Sequence, residues 1–120
     1  MGGQRAATIL VADDDPAIRL LCRVNLELEG YRVIEAGSEA ELDEVLARDE
    51  ISALLLDVHL GEDDGRVIAR RLGQERPELP IAFFTGSVSI DAERDQVGGV
   101  IPKPFTLEEL SETVRRLAPL

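Results

Sequence analysis

The sequence predicts an α/β fold: a doubly wound, five-stranded parallel sheet with helices on both faces. Two observations predict it. Short apolar runs alternate five times with amphipathic segments, and the connections between them are short. Four of the runs then end in polar residues of distinct chemistry: Asp13-Asp14-Asp15, Asp57, Thr85-Gly86 and Pro102-Lys103-Pro104. In an open parallel sheet the carboxyl ends share one edge, and ligands bind there.

The predicted strands cover 7–12, 31–35, 52–57, 80–85 and 98–102. Helices are expected near 15–29, 38–48, 65–76, 90–96 and 106–117. Asp15-Pro16 opens the first helix with a capping side chain and a proline that needs no N–H partner. Gly30 is suited to follow its end as the C′ residue. Ser38 with Glu41, and Thr106 with Glu109, have capping-box spacing, and Asp64 stands as a cap before the third helix. The stretch Glu62-Asp63-Asp64 otherwise reads as a solvated loop. Leu107, Leu110, Val114 and Leu117 trace one face of the last helix. Between residues 87 and 97 there is little apolar face beyond Ile90 and Val97, so the fourth helix is expected to be short or frayed. Five βα repeats match the flavodoxin-like strand order 2-1-3-4-5, with a crevice between the first and third strands. Asp13, Asp14 and Asp57 would meet in that crevice.

A length of 120 residues suits one domain over 1–120, with no room for an output domain; it fits a stand-alone module or an excised piece. The formal net charge of -11 opposes nucleic-acid binding, which relies on Lys and Arg to neutralise phosphates. No apolar stretch approaches the roughly 20 residues that span a bilayer, and no signal-peptide pattern precedes the first strand. A single cysteine, Cys22, lies in a helical pattern and reads as a small core residue in a reducing interior. A soluble cytoplasmic domain is expected.

Three carboxylates meeting at one edge repel by about 4 kcal/mol per pair at 4 Å and an effective dielectric near 20. A raised pKa on one of them, or a bound cation, relieves this. Hard oxygen donors with room for water suit Mg²⁺. Zinc is disfavoured, since His59 is the only histidine and Cys22 falls far off in the pattern. A cation held there can neutralise phosphoryl oxygens and so assist transfer to Asp57. The plainer alternative is that Asp14 and Asp15 cap a helix and Asp57 begins a loop. Asp15 takes that capping role. Asp13 and Asp57 directly follow apolar strands instead, which favours a chemical role for them.

These residues identify a likeness that runs through nearly the whole chain. Ile9-Leu10-Val11-Ala12-Asp13-Asp14-Asp15-Pro16, Leu55-Leu56-Asp57 with Asp64-Gly65, Phe84-Thr85-Gly86 and Pro102-Lys103-Pro104-Phe105 occur in order on the expected strand ends. With them the chain resembles the receiver domain of bacterial two-component response regulators. The resemblance implies that Asp57 is the phosphoacceptor, served by a sensor histidine kinase or a phosphotransfer protein. It implies Mg²⁺ held by Asp13, Asp14 and Asp57, with the backbone carbonyl of His59 as a further ligand. Thr85 would bind a phosphoryl oxygen, and Lys103 would pair with Asp57 or its phosphate. The Lys103–Pro104 peptide would be cis. Such a protein is a switch rather than a turnover enzyme; it assists its own phosphorylation and hydrolysis and acts on a downstream protein target.

Some positions depart from the family pattern. Val100, three before Lys103, stands where an aromatic switch residue is usual, so a weak or rerouted switch is expected. The interval from Thr85 to Lys103 is about four residues short, roughly one helical turn. The family's common dimer face includes the shortened region, so a monomer or weak dimer is expected. Phe83-Phe84-Thr85-Gly86 together with this shortening is similar to an alphaproteobacterial group of single-domain receivers. Gly61 replaces a common proline and should loosen its loop. His59 and Ser87 occupy positions that tune water access in the family, and Pro102 requires an edge strand. Three other readings compete. An aspartyl-phosphate phosphatase usually has a second aspartate two positions on, where this chain has His59. A flavodoxin-type cofactor binder would have its phosphate repelled by Asp13-Asp14-Asp15. A phosphate-independent interaction module is the third.

Overall fold

Three strands, Thr8–Ala12, Ala53–Asp57 and Ile81–Thr85, are buried on both sides, which is why they read as unbroken apolar runs rather than alternating ones. A computed structural model describes residues 7–86 and 97–120. In chain order its elements are β1 (Thr8–Ala12), α1 (Pro16–Leu28), β2 (Arg32–Ala36), α2 (Glu39–Arg48) and β3 (Ala53–Asp57). There follow β4 (His59–Leu60), β5 (Asp63–Asp64), α3 (Gly65–Glu75), β6 (Ile81–Thr85), β7 (Gly99–Pro102) and α4 (Leu107–Leu117). The main sheet is parallel throughout, in the order β2-β1-β3-β6-β7. Leaving aside the small β4–β5 hairpin, that is the expected 2-1-3-4-5 order. The helix predicted near 90–96 and Ser87 lie outside the described residues.

Successive side chains of a strand point to opposite faces, and the core divides accordingly. Leu10, Leu54, Leu56 and Phe83 pack with Leu42, Val45, Ile68 and Leu72 of α2 and α3. Ile9, Val11, Leu55, Phe84 and Ile101 pack on the other face with Cys22 and Leu26 of α1 and Leu110 and Val114 of α4. Cys22 is a core residue as expected, and burial pushes its thiol up to about 12.

The helix ends follow the sequence signals closely. Asp15 caps α1 by accepting the Ala17 N–H at 2.9 Å. At the other end the Gly30 N–H reaches Glu27 O and the Tyr31 N–H reaches Leu26 O, a Schellman motif with Gly30 at φ 106°. Thr106 and Glu109 form the complete capping box. Ser38 caps α2 through the Glu41 N–H, but the Glu41 carboxylate takes the Gly37 N–H at 2.6 Å, so this box closes one residue earlier than expected. Leu107, the first helical residue, is 46% exposed, so the face it shares with Leu110, Val114 and Leu117 is covered only from Leu110 onward. The stretch after Asp57 is an antiparallel hairpin rather than a plain loop, and Gly61 at its tip has φ 62°. Glycine adopts that left-handed geometry without strain. Pro102 sits on the edge strand β7, where its missing donor costs little.

Candidate functional site

Register brings the polar strand ends together. β1 lies beside β3, and β3 beside β6, so Asp13 and Asp57 emerge from adjacent strands with Thr85 next along the edge. One carboxylate oxygen from each of Asp13, Asp14 and Asp57 lies within 4.8 Å of the other two. Asp13 is fully buried, Asp57 is nearly so, and Asp14 is exposed. Asp14 thereby faces solvent while the other two form the floor.

Lys103 joins that floor. Its ammonium donates to Asp13 Oδ2 at 2.7 Å and to Asp57 Oδ2 at 3.1 Å. The other oxygens are also committed: Asp13 Oδ1 accepts the Asp15 N–H, and Asp57 Oδ1 accepts the His59 N–H, each at 2.9 Å. Lys103 is itself fixed by its backbone N–H, which donates to Thr85 O at 2.8 Å, and it follows β7 directly. Its ammonium lies 5.7 Å from the centre of the Phe84 ring, within cation–π range. Phe84 in turn packs on Phe105 at 5.3 Å. The Lys103–Pro104 peptide is cis.

Burial pushes the Asp13 carboxyl above its ordinary range, and the Asp57 charge adds to this; the bonds from Lys103 and Asp15 oppose it. Burial alone would lower the Lys103 ammonium, but its bonds to Asp13 and Asp57 outweigh that and raise it. A separation of 2.7 Å is that of a charge-assisted bond, so the pair is best described as ionic, with Asp13 costly to keep ionised. Three carboxylates against one ammonium leave two formal negative charges at the edge, matching a divalent cation. An all-oxygen donor set, with one exposed member to leave room for water, fits Mg²⁺.

Two features escaped the sequence reading. Lys103 binds Asp13 as well as Asp57, and more closely. Gly65 opens α3 so near the preceding strand that a Cβ there would collide with the backbone oxygen of Asp57 and with Val58. The Asp64-Gly65 pair was a visible signal of that contact, though not of its cause. His59 has an exposed side chain, and Val100 is half-buried opposite Phe83.

A flavodoxin-like sheet bearing an acidic cluster and a lysine on its carboxyl edge defines the receiver class of signalling domain. The known proteins agree. The family described as response regulator receiver domain matches residues 9–115. The chain is 38% identical over 116 residues to the response regulator MprA of Mycobacterium leprae, covering 91% of this chain and 50% of that protein. It is 37% identical to MprA of Mycobacterium tuberculosis, covering 91% and 49%. It thus spans about half the length of the curated relatives it matches. A response regulator of Thermotoga maritima superposes with a TM-score of 0.84 at 29% identity, covering 94% of this chain and 98% of that one. A CheY-like receiver domain protein from Methanospirillum hungatei gives 0.85 at 25% identity, with 93% of each chain covered. The chain belongs to the response regulator receiver domain family. Among the described residues, no helix is long and apolar enough to cross a membrane.

Proposed function

We propose that this receiver is a phosphoacceptor switch in a two-component system or phosphorelay, with Asp57 as the residue modified. The observation that carries the reading is the Asp57 carboxylate held at the sheet edge between the Lys103 ammonium and the Asp13 and Asp14 carboxylates. A carboxylate oxygen of Asp57 attacks the phosphorus of a phosphohistidine on a sensor kinase or phosphotransfer protein. The phosphorus–nitrogen bond breaks, its electron pair stays on the imidazole, and an acyl phosphate forms.

Each neighbour has a definable part. The His59 N–H holds one oxygen of Asp57 and so fixes the carboxylate plane. Lys103 offers a compact positive charge to the incoming phosphoryl oxygens. The Thr85 hydroxyl, on the adjacent strand end, binds a phosphoryl oxygen once Asp57 is modified. Mg²⁺ held by Asp13, Asp14, Asp57 and the His59 carbonyl would supply further neutralisation of phosphoryl charge. The domain functions by changing partner binding rather than by turnover, with Val100 weakening or rerouting the usual aromatic relay.

The outer face of α1 suits the phosphodonor. Leu20, Val24 and Leu28 recur every four residues along it, and they are 57%, 48% and 81% exposed. The helix starts three residues after Asp13, so this apolar stripe lies on the element that leads away from the site. A donor that brings its histidine to Asp57 from this side would cover the stripe with an apolar helical surface. Treatment with a phosphodonor, borohydride trapping of the acyl phosphate and peptide mapping test the proposal. The modification is expected at residue 57; modification elsewhere would displace Asp57 as the acceptor, and none from either acetyl phosphate or a phosphorylated histidine donor would favour the phosphate-independent module.

A further inference from the structure

Arg19 reaches back from α1 to the acidic turn. Its Nη1 donates to the backbone oxygen of Asp13 at 2.6 Å, while its Nε donates to Glu35 Oε1 at 3.0 Å. Glu35, near the end of β2, has its other oxygen in an ion pair 3.1 Å from Arg23 Nε, without hydrogen-bond geometry, and Arg23 Nη2 donates to Val33 O at 3.2 Å. Arg19 and Glu35 are both largely sheltered from solvent. A Cβ at Gly37 would come within 3.1 Å of Arg19 Nη1, so glycine leaves the space the guanidinium occupies.

The carbonyl that Arg19 grips belongs to the peptide joining Asp13 to Asp14. The Asp13 N–H is tied separately to Ala36 O at 3.0 Å. Fixing both ends of the residue sets the tilt of that peptide plane, and with it the direction in which Asp14 leaves the strand. Only a fork can do this: one nitrogen grips the carbonyl while another is anchored on Glu35, and a lysine ammonium has no such planar pair.

We infer that Arg19, buttressed by Glu35, is a positioning residue for the cation site, setting Asp14 relative to Asp13 and Asp57. The inference rests on the reading of those three carboxylates as a divalent-cation site. Removing a partner that orients a metal ligand typically weakens metal binding about 10- to 100-fold. The effect falls on the cation more than on folding.

The test measures Mg²⁺ dissociation constants by calorimetry on the whole chain, alongside thermal melts without metal. Arg19→Ala should weaken Mg²⁺ binding about tenfold, at the low end of that range because the clamp acts through backbone. Arg19→Lys and Glu35→Gln should lie between Arg19→Ala and wild type. Arg71→Ala, which cuts a brace between α2 and α3 that bonds none of the three carboxylates, should lower melting temperature with Mg²⁺ affinity unchanged. In acetyl phosphate labelling, Arg19→Ala should need more Mg²⁺ for half-maximal rate yet reach the same plateau. Affinity within twofold of wild type in folded Arg19→Ala, or in both Arg19→Lys and Glu35→Gln should the alanine variant not fold, overturns the inference. So does an equal loss in Arg71→Ala. A wild type that binds no Mg²⁺ overturns instead the cation-site reading on which it rests.

Discussion

Removing the Asp14 charge should stabilise the metal-free protein, because the cluster is held together against its own repulsion. The three carboxylates lie within 4.8 Å of one another. At that separation one pair repels by about 1 kcal/mol at the dielectric of water and about 3.5 kcal/mol at an effective dielectric of 20. Asp14 is exposed, so the lower figure applies to each of its two pairs. Lost attraction to Lys103 offsets part of that relief. Asp14→Asn is therefore expected to gain about 1 kcal/mol of stability in chelator at low ionic strength, where screening is weakest. Urea unfolding at neutral pH measures it, and an unchanged slope would show that only stability moved. Millimolar Mg²⁺ should reverse the order, since wild type gains more from a ligand it binds better. A destabilised Asp14→Asn in chelator, or a gain that Mg²⁺ leaves intact, would refute the reasoning.

The remaining predictions concern the supports of the site. Gly65→Ala forces a Cβ against the backbone behind Asp57 and should cost about 2–3 kcal/mol in urea unfolding, as overpacking does. Arg71 binds Glu39, Asp43 and Glu75 at a partly exposed surface, so Arg71→Ala should cost only about 1 kcal/mol, and less at high salt. The folded pKa of Asp13 is raised above its unfolded value, so the native state holds the extra proton between them. Its stabilising contribution is complete below the unfolded value and lost as pH rises through the folded one. Metal-free wild type should accordingly gain on Asp13→Asn as pH falls into that window, and a gap that moves the other way would contradict the assignment. Glutamate at Leu20 and Val24 should leave stability within about 0.5 kcal/mol and acetyl phosphate labelling intact, while slowing transfer from a phosphohistidine donor.

Much of this was legible in the sequence, for identifiable reasons. Fully buried parallel strands leave continuous apolar runs, so β1, β3 and β6 could be located within a residue. Caps such as Asp15, Asp64 and Thr106 act through nearest-neighbour geometry, which a linear reading captures. The β4–β5 hairpin could not be seen, because two-residue strands carry no periodicity. Leu107 matched the helical spacing but, as the first residue of α4, stays exposed. The same limit applied to the site. Asp13, Asp14, Asp57, Thr85 and Lys103 stand at strand ends, so a linear reading can pick them out as candidates. The contact of Lys103 with Asp13, and the reach of Arg19 to the Asp13 carbonyl, depend on side-chain rotamers across 90 and 6 residues of chain. Spacing alone does not encode those.

The most direct test of the account is the intact mass of the protein after incubation with a phosphodonor. Wild type with acetyl phosphate and Mg²⁺ should gain the mass of one phosphoryl group, lose it in chelator-containing controls, and show none in Asp57→Asn. An equal gain in Asp57→Asn, or a gain indifferent to Mg²⁺, would contradict the claim that Asp57 accepts phosphate beside a divalent cation.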